Sequence, residues 1–456
     1  MASAEILSRI AAELALFAGV GFLLFAVNDL IVDLIYFARA MWRSVAVYTR
    51  YPRSFASELP KTDEPGFIAI LVPAWDESAV IASMLRATLD RLDYANFRIF
   101  AAHYRNDPAT AVAIRSVGDP RIEDVQVDDD GPTTKADCLN HLYDALIAHE
   151  MLTGIAAKAI VLHDAEDVVH PLELKLFDRL IERAAVVQVP VLPLPDPHSR
   201  WISGHYCDEF AEAHVKELVV REAVGAAIPL AGVGCAIARK PLAQLAALQD
   251  GKPFASNSLT EDYELGLKLG ALGLRTMFVR IPARPGEYGV VASRGHFPSS
   301  LGEAVRQKAR WLGGIALSGW DQLGWSGGFG ERWMRMRDRR GPLAALLLLA
   351  AYLAALMWSQ IWLAEALGAP IKARLDPALV TLLFINGWLL AWRVLMRVTF
   401  TTSAYGMRAG LMSIPRLFIG NVIAVLAAVR AVSLHLGGGA TRWDKTHHIF
   451  PKELPR

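Results

Sequence analysis

The chain of 456 residues is long enough for one large soluble domain and several membrane segments. Apolar residues make up 53% of it and the mean hydropathy is +0.29, which is high for a soluble enzyme and indicates surface that faces lipid. A net charge of +1 gives no reason to expect nucleic acid as a partner, and three cysteines without a CxxC pair argue against a zinc site or a disulfide framework.

The first predicted element is a membrane helix over roughly residues 10–34, within an N-terminal anchor and linker of residues 1–60. No small-residue cleavage site follows the apolar run, so an uncleaved anchor is predicted rather than a secretory signal. Four arginines follow it, at positions 39, 43, 50 and 53, and by the positive-inside rule they place the N-terminus outside and the next segment in the cytoplasm. We expect Asp29 and Asp33 to lie at the interfacial end of this helix rather than to line a pore.

Residues 61–330 are predicted to form the soluble domain. The continuous branched apolar run at 67–73 indicates a buried parallel strand, and residues 78–92 have helical spacing. Further strands are predicted at 97–104, 159–162 and 185–191. Strands that alternate with helices predict a doubly wound α/β sheet, in which ligands bind at the carboxyl ends of the strands.

Two membrane helices are predicted within residues 331–400, over roughly 341–364 and 377–396. Five arginines between positions 332 and 340 precede the first of them and keep its start in the cytoplasm. The last region, 401–456, is predicted to hold an interfacial helix over 417–429, which is too short to span comfortably, and a cytoplasmic tail. If this helix instead extends to residue 436 and spans, the C-terminus lies outside, so the number of spans decides the topology.

An acidic turn, Asp164-Ala-Glu166-Asp167, follows the predicted strand at 159–162. Two carboxylates on such a turn can hold Mg²⁺ or Mn²⁺ through hard oxygen ligands, although an exposed acidic turn without metal is the alternative. Asp164 is one predicted ligand, and either Glu166 or Asp167 is the second. His163 and His170 flank the turn, and we expect hydrogen-bonding roles for both because imidazole suits zinc better than magnesium.

Thr260-Glu261-Asp262 is predicted to open a helix, with Thr260 as its cap. The helix dipole favours carboxylates in the first turn, so Asp262 is a candidate general base that stays ionised. The alternative is a well-capped helix without chemistry.

Further along the chain, Gln307, Arg310 and Trp311 share one face of a predicted helix. The alternative to a ligand-binding face is an amphipathic helix that packs against the membrane helices.

These motifs, with Asp107 after the strand at 97–104, resemble in their order the D, DxD, TED, QxxRW signature of membrane-embedded, inverting family-2 glycosyltransferases, which include cellulose, chitin and hyaluronan synthases. The resemblance implies a nucleotide-diphospho-sugar transferase fold (GT-A, Rossmann-like) with transmembrane helices, and a divalent cation, Mg²⁺ or Mn²⁺. It also implies a nucleotide-sugar donor, expected to be a UDP-sugar. The match departs from the family where Asp164-x-Glu166 replaces Asp-x-Asp and where Asp76 precedes Glu77 in place of the usual Asn.

By the same resemblance, each candidate residue has an implied role. The nucleotide-sugar is bound by Glu77, Asp107, Lys135 and Asp164; the metal by Asp164 and Glu166; the acceptor and pyrophosphate by Gln307, Arg310 and Trp311; and the catalytic pair is Glu261 and Asp262, with Asp262 as the base for in-line attack. Gly232-Val-Gly234 is similar to a small-residue loop at the acceptor site, a weaker match.

Several longer segments resemble a subgroup of these enzymes, the bacteriophage adsorption protein B group; they begin at residues 105, 131, 163 and 307, and one lies in the tail at 442–451. The resemblance implies a multi-pass protein of the bacterial inner membrane with a cytoplasmic catalytic domain. It further implies a surface glycan that is made and exported, with an export partner in the outer membrane. We expect Trp443 and Asp444 to dock against the catalytic domain.

Three functions stay open at this point. The first is a processive synthase that extends a glycan and passes it through its own membrane helices. The second is a non-processive transferase to a lipid-linked acceptor, and the third is a non-catalytic membrane scaffold or phage-receptor component. Sugar, linkage and acceptor depend on pocket shape rather than on motifs.

Overall fold

The structure is a computed structural model that describes residues 2–60, 64–287, 289–369, 375–437, 445, 448–451, 453 and 454. Its soluble part is built on a seven-stranded sheet with strand order β3-β2-β1-β4-β6-β5-β7. The strands are β1 Ile68–Val72, β2 Phe97–Tyr104, β3 Ile122–Val127, β4 Ala159–Leu162, β5 Val186–Gln188, β6 Cys235–Ala238 and β7 Thr276–Phe278.

The predicted α/β sheet is confirmed, and it is mixed rather than wholly parallel. β6 runs antiparallel to both β4 and β5, whereas the other neighbouring strands pair in parallel. All five residues of β1 are buried, because helices cover both faces of the sheet at its centre. Ile70 and Val72 pack into the apolar layer on one face, and Ala69 and Leu71 into the layer on the other.

Helices connect and cover these strands. Those of the soluble domain are α2 Ile81–Arg91, α3 Pro108–Arg115, α4 Lys135–Thr153, α5 Glu173–Leu180, α6 Ile202–Glu212, α7 Leu218–Ala223, α8 Arg239–Ala247, α9 Glu261–Ala271, α10 Leu301–Leu312, α11 Gly319–Leu323 and α12 Phe329–Arg339. Wider π-helical turns follow α6, at Ala213–Glu217, and α10, at Gly313–Ser318.

Within the described part of the chain, four helices are long and apolar enough to cross a membrane, judged by length and composition. They are α1 Ala2–Trp42, which continues into a π-helical turn at Arg43–Val47, α13 Gly341–Ala366, α14 Pro377–Tyr405 and α15 Met407–Leu436. Small residues let these helices approach closely, since a Cβ added to Gly21 of α1 would lie 2.4 Å from the Leu347 side chain of α13.

The predicted interfacial helix at 417–429 is part of the longer helix α15. The apolar run begins only after Pro415 and Arg416, but the helix already begins at Met407 and includes both residues. Arg416 is buried there because its guanidinium bonds both carboxylate oxygens of Asp208 on α6, each at 2.7 Å. The helix α15 is therefore not too short to cross a membrane.

Asp29 and Asp33 do not mark the end of α1, which continues to Trp42. Asp33 is buried and accepts hydrogen bonds from Lys216 Nζ at 2.5 Å and Trp392 Nε1 at 2.9 Å. Asp29 accepts from Arg337 and Arg340 at the junction of α12 and α13. The two carboxylates thus join the first membrane helix to the soluble domain and to α14, and they lie within α1 rather than at the helix end predicted for them.

Candidate active site

Side chains from four separate elements converge on one cavity of about 110 Å³. The elements are the turn after β4, the N-terminus of α4, the N-terminus of α9 and one face of α10. Of the predicted site residues, the cavity is lined by Lys135, Asp164, Glu166, Glu261, Asp262, Gln307, Arg310 and Trp311. A smaller adjoining cavity, of about 60 Å³, shares Lys135, Asp164 and Arg310 and adds Glu77.

The carboxylates of the acidic turn differ in what they contact. Asp167 accepts hydrogen bonds from the Asp164 backbone N–H at 3.1 Å and pairs with His163 Nδ1 at 2.9 Å. Glu166 lines both cavities, and its Oε2 is buried; among the described residues it has no hydrogen bond, but His448 Nδ1 lies 3.3 Å from it. An oxygen-rich turn with one such oxygen fits a hard divalent cation, and Glu166 is better placed for it than Asp167.

His163 and His170 have the hydrogen-bonding roles predicted for them. His163 lies between Asp167 and Glu173, with Nε2 at 2.7 Å from Glu173 Oε1. Burial alone would lower the pKa of His163, but the Glu173 and Asp167 carboxylates raise it to about 10, so this imidazole is a cation that anchors the turn. His170 Nδ1 accepts a hydrogen bond from the Leu172 backbone N–H at 3.1 Å.

Lys135 begins α4 and forms an ion pair with Asp164. Burial would lower the pKa of Lys135, but the carboxylates of Asp164, Glu261 and Asp262 raise it above its usual range. The lysine is therefore a fixed positive charge at the wall of the cavity. It is not the surface charge expected of a lone lysine.

Glu261 and Asp262 form the first turn of α9, and burial raises the pKa of both carboxyl groups, that of Glu261 to about 7. Asp262 Oδ1 accepts a hydrogen bond from the Tyr263 backbone N–H at 2.7 Å. Thr260 occupies the predicted N-cap position of α9, but its side chain makes no capping hydrogen bond. The side chain instead packs on Gly314, where an added Cβ would lie 2.5 Å from Thr260 Oγ1.

The loop that carries Gly232 lies directly against Asp262. Gly232 has a φ of +76°, and a Cβ added to it would lie 2.7 Å from Asp262 Oδ2. A residue with a side chain is therefore excluded by the close approach as well as by the left-handed backbone.

The predicted helix that carries Gln307, Arg310 and Trp311 is confirmed as α10. Gln307 Oε1 and Arg310 Nε are buried and, within the described part of the chain, have no hydrogen-bond partner. Both side chains line the two cavities, so these atoms are available to a ligand. Trp311 packs among the aromatic rings of Tyr206, Phe210 and Phe297.

Asp107 lies beside the site rather than in the lining of these cavities. It follows β2 and caps α3, accepting from the Thr110 backbone N–H at 3.2 Å, and its other oxygen accepts from the Asp76 backbone N–H at 2.6 Å. Thr110 in turn accepts from the Glu77 backbone N–H at 2.9 Å. Asp107 thus positions the Asp76–Glu77 turn, and Glu77 reaches the smaller cavity.

Sequence reasoning missed the part of the C-terminal tail that enters this site. Lys445 contacts the Asp76 carbonyl and lies 3.3 Å from Glu77 Oε1, while His448 Nδ1 lies 2.7 Å from the same oxygen. Both side chains line the smaller cavity. The sequence identifies residues 442–451 as a segment that resembles the subgroup, but it predicts docking against the catalytic domain for Trp443 and Asp444. Those two residues lie outside the described part of the chain.

A second cavity, of about 360 Å³, adjoins the first across Asp262 and Trp311. It extends to Val32 of α1 and to Arg337 of α12. The larger cavity therefore borders both the candidate base and the first membrane helix.

Residues 65–314 match the family model described as Glycosyltransferase like family 2. Bacteriophage adsorption protein B of Escherichia coli strain K12 is 38% identical over 455 residues, which cover 93% of this chain and 60% of that protein. Bacteriophage N4 adsorption protein B of Escherichia coli O157:H7 matches with the same figures. The chain thus spans about 60% of the length of these relatives.

Among solved structures, a mannosyltransferase from Pyrobaculum calidifontis in complex with GDP-Man and Mn²⁺ aligns with a TM-score of 0.55 at 16% identity, over 96% of this chain and 100% of that one. At this identity the match shows the fold alone. Together with the family model it confirms the GT-A type of fold and the resemblance that the motifs indicated.

Proposed function

The chain belongs to glycosyltransferase-like family 2, and from that premise we propose that it transfers a sugar from a nucleotide-diphosphate donor to a growing glycan, with inversion. One observation carries the proposal. Carboxylates, cations and an aromatic residue from positions 135 to 311 of the chain surround a single cavity beside the candidate base.

The donor's diphosphate fits the charged wall formed by Lys135 and Arg310. Lys135 is fixed as a cation by its pairing with Asp164. Arg310 Nε has no hydrogen bond to any residue that the structure describes, so it can donate to a phosphate oxygen. Glu166, with Asp164 beside it, would hold a divalent cation. When bound, Mg²⁺ or Mn²⁺ supplies positive charge that stabilises the nucleoside diphosphate as it leaves. Glu77 and the turn positioned by Asp107 lie on the side where we place the nucleotide.

Asp262 is the proposed general base. It borders both the donor cavity and the larger second cavity, so an acceptor hydroxyl in the second can lose its proton to Asp262 while attacking the sugar in the first. Burial raises the pKa of Asp262, which makes its carboxylate a stronger proton acceptor than an exposed aspartate. Attack from the face opposite the leaving group inverts the anomeric centre.

The second cavity favours an acceptor that approaches from the membrane side. Trp311 lines this cavity and can contact a sugar ring, and the cavity reaches α1. We therefore favour a growing glycan that stays bound and is exported, with an outer-membrane partner, over a lipid-linked acceptor that receives a single sugar. Products longer than one added sugar per acceptor distinguish the two.

Contacts of α15 and of the segment after it support a topology in which both flanks of the apolar stretch lie on the side of the catalytic domain, which the positive-inside rule puts in the cytoplasm. Near its start, Arg416 bonds Asp208 of the soluble domain, and beyond its end Lys445 and His448 contact the Asp76–Glu77 turn. Both flanks of the helix therefore lie on the same side of the membrane. We place α15 along the cytoplasmic face and α1, α13 and α14 across the inner membrane.

The test uses the full chain in detergent with Mn²⁺, a panel of UDP- and GDP-sugars and a glycan acceptor, and measures nucleoside diphosphate release. Asp262→Asn keeps the shape of the side chain but removes its basicity, so we expect turnover to fall by about 10³-fold, within the range typical of general-base loss. Donor affinity should stay within about twofold of wild type, because the diphosphate contacts are untouched. Wild-type turnover in this variant contradicts the assignment of the base.

A further inference from the structure

The second cavity, of about 360 Å³, is polar but balanced in charge. The charged side chains among its described lining residues are three arginines and three acids, namely Arg221, Arg337, Arg340, Glu217, Asp262 and Asp338. Their formal charges cancel. Such a wall recognises a ligand through individual hydrogen bonds rather than through net charge.

Arg221 is held at this wall with one nitrogen to spare. The residue is 4% exposed. Its Nη1 donates to both carboxylate oxygens of Asp338, at 2.9 and 2.8 Å, and its Nε donates to the Ala227 carbonyl at 2.6 Å. Its Nη2 is buried and has no hydrogen bond to any residue that the structure describes. Asp338 therefore neutralises the guanidinium, while the remaining N–H groups are left for a ligand.

Arg340, between α12 and α13, has the same property. Its Nη2 donates to Asp29 of α1 at 2.7 Å, whereas its Nη1 is buried and has no hydrogen bond within the described ranges. Arg337 differs, because its Nη1 bonds Asp29 at 2.9 Å and its Nη2 bonds Glu217 at 3.4 Å. Two arginines that line one cavity thus keep a hydrogen-bond donor although each is paired with a carboxylate.

Tyr263 connects this wall to the proposed base. Its hydroxyl donates to Asp338 Oδ2 at 2.7 Å, and its backbone N–H donates to Asp262 Oδ1, also at 2.7 Å. Arg221, Asp338 and Asp262 therefore belong to one hydrogen-bonded unit. A ligand that accepts a hydrogen bond from Arg221 is positioned relative to the carboxylate that takes the proton.

A wall of this kind suits a sugar hydroxyl or an amide carbonyl better than an anion. A carboxylate on the ligand would meet a guanidinium whose charge Asp338 already offsets. It would also lie in the same cavity as the carboxylates of Asp338 and Asp262. Like charges brought together in a buried site repel each other strongly, so the cavity discriminates against an acidic ligand.

We propose that the acceptor is an uncharged glycan, and that Asp338 sets this preference by neutralising Arg221, which donates a hydrogen bond to an acceptor oxygen. The inference rests on the proposed function, because this cavity is the one assigned to the acceptor. Arg221 contacts the acceptor, whereas Asp338 acts through Arg221.

The experiment measures oligosaccharide binding to the full chain in detergent, without donor, by isothermal titration calorimetry. The probes are matched pairs. Tetrasaccharides of glucose, of mannose and of N-acetylglucosamine are each compared with a counterpart whose terminal primary hydroxyl, at the non-reducing end, is oxidised to a carboxylate. We expect the wild type to bind at least one uncharged probe, and to bind it at least about tenfold more tightly than its charged counterpart.

Two variants should change this ratio in opposite directions. Asp338→Asn keeps the size of the side chain but leaves the charge of Arg221 uncompensated, so the charged probe should gain about tenfold relative to the uncharged one. Arg221→Gln removes the donor, so the uncharged probe should bind about tenfold more weakly. It also leaves Asp338 without its cation, so the charged probe should weaken further. A purely structural role would weaken both probes alike.

Glu150→Gln is the matched control. Glu150 accepts from Arg239 Nη2 at 2.7 Å in a partly buried pair, and neither residue lines the second cavity. This variant should keep the wild-type ratio, and a melting temperature shows that each variant is folded. If Asp338→Asn does not fold, Arg221→Gln tests the inference through the opposite change.

Equal or tighter binding of the charged probe by the wild type overturns the proposal, as does a ratio that stays unchanged in the folded variants. A wild-type chain that binds none of the probes overturns it too. The outcome is separate from that of the proposed function. Sugar transfer with no change of ratio leaves the transferase intact and removes Asp338 as the selecting residue. A changed ratio in a chain that releases no nucleotide from any sugar donor supports the inference and counts against the transferase.

Discussion

At the scale of single residues, the site depends on how closely the backbone approaches Asp262. Gly232 is the clearest case, because its missing side chain leaves room for the carboxylate and its φ of +76° suits glycine. A base displaced by about 1 Å can lose 10²-fold in rate.

Gly232→Ala should therefore lower the turnover number by about 10²-fold. The measurement is nucleoside diphosphate release at saturating donor, accompanied by a melting temperature. Gly225→Ala is the matched control, since Gly225 has a φ of +73° but a Cβ there meets no described atom within 4 Å. It should show the stability cost of a left-handed alanine, about 1 kcal/mol, with unchanged turnover. Equal turnover in the two variants means that the Gly232 loop does not position the base.

Much of the candidate site follows from the sequence because its residues belong to short local motifs. Asp164 and Glu166 follow a strand, and Arg310 and Trp311 share a helix face, so local spacing predicts their direction. His448 could not be found in this way, because its proximity to Glu77 depends on how the tail folds back over 371 residues of chain. Thr260 matched a capping pattern, but its packing against Gly314 turned the hydroxyl elsewhere.

At the scale of elements, β1, β2 and β4 were predicted to within a few residues, since continuous apolar runs identify them. The short strands β6 and β7, of four and three residues, were not predicted. β3 was missed because its sequence, IEDVQV, is half exposed and carries two acidic residues. The true length of α15 was hidden by Arg416, whose charge ends the apolar run but is neutralised by Asp208. A distant ion pair cannot be read from local hydropathy.

The placement of α15 predicts where reagents reach it. A single cysteine at Leu436, exposed at the end of α15, should react with a membrane-impermeant maleimide only in inside-out inner-membrane vesicles, because the proposed placement puts this end of the helix on the cytoplasmic side. The native cysteines, 138, 207 and 235, are buried and give a low background. Cysteine at Ile6, near the N-terminus and also exposed, should label from the opposite side. Labelling of position 436 from the same side as position 6 shows that the helix crosses.

At the scale of the whole molecule, buried ion pairs hold the catalytic domain to the membrane helices. Lys216 lies in the π-helical turn after α6, is 1% exposed, and pairs with Asp33 of α1 and with Glu212. The same turn carries His214, which lines the second cavity. Movement of α1 is thereby linked to the shape of the proposed acceptor site.

Lys216→Met should lower the free energy of unfolding by about 3–5 kcal/mol, because it leaves Asp33 buried without its cation. Lys216→Met combined with Asp33→Asn should recover part of this loss, since the unpaired charge is gone. Thermal unfolding in detergent measures both. Arg9→Met is the control, because Arg9 pairs with Glu5 on the same helix at 79% side-chain exposure, and such pairs contribute at most about 1 kcal/mol. A Lys216→Met loss no larger than the control's contradicts a stabilising junction.

Lys445 and His448 line the smaller cavity of the proposed donor site, so the position of the segment that carries them can influence catalysis. Anything joined to the carboxyl end of the chain that pulls on the segment withdraws Lys445 and His448 from the cavity wall. A polyhistidine purification tag at that end would also place rival imidazoles beside the acidic turn. For measurements of activity or of bound manganese, the tag therefore belongs at the other terminus.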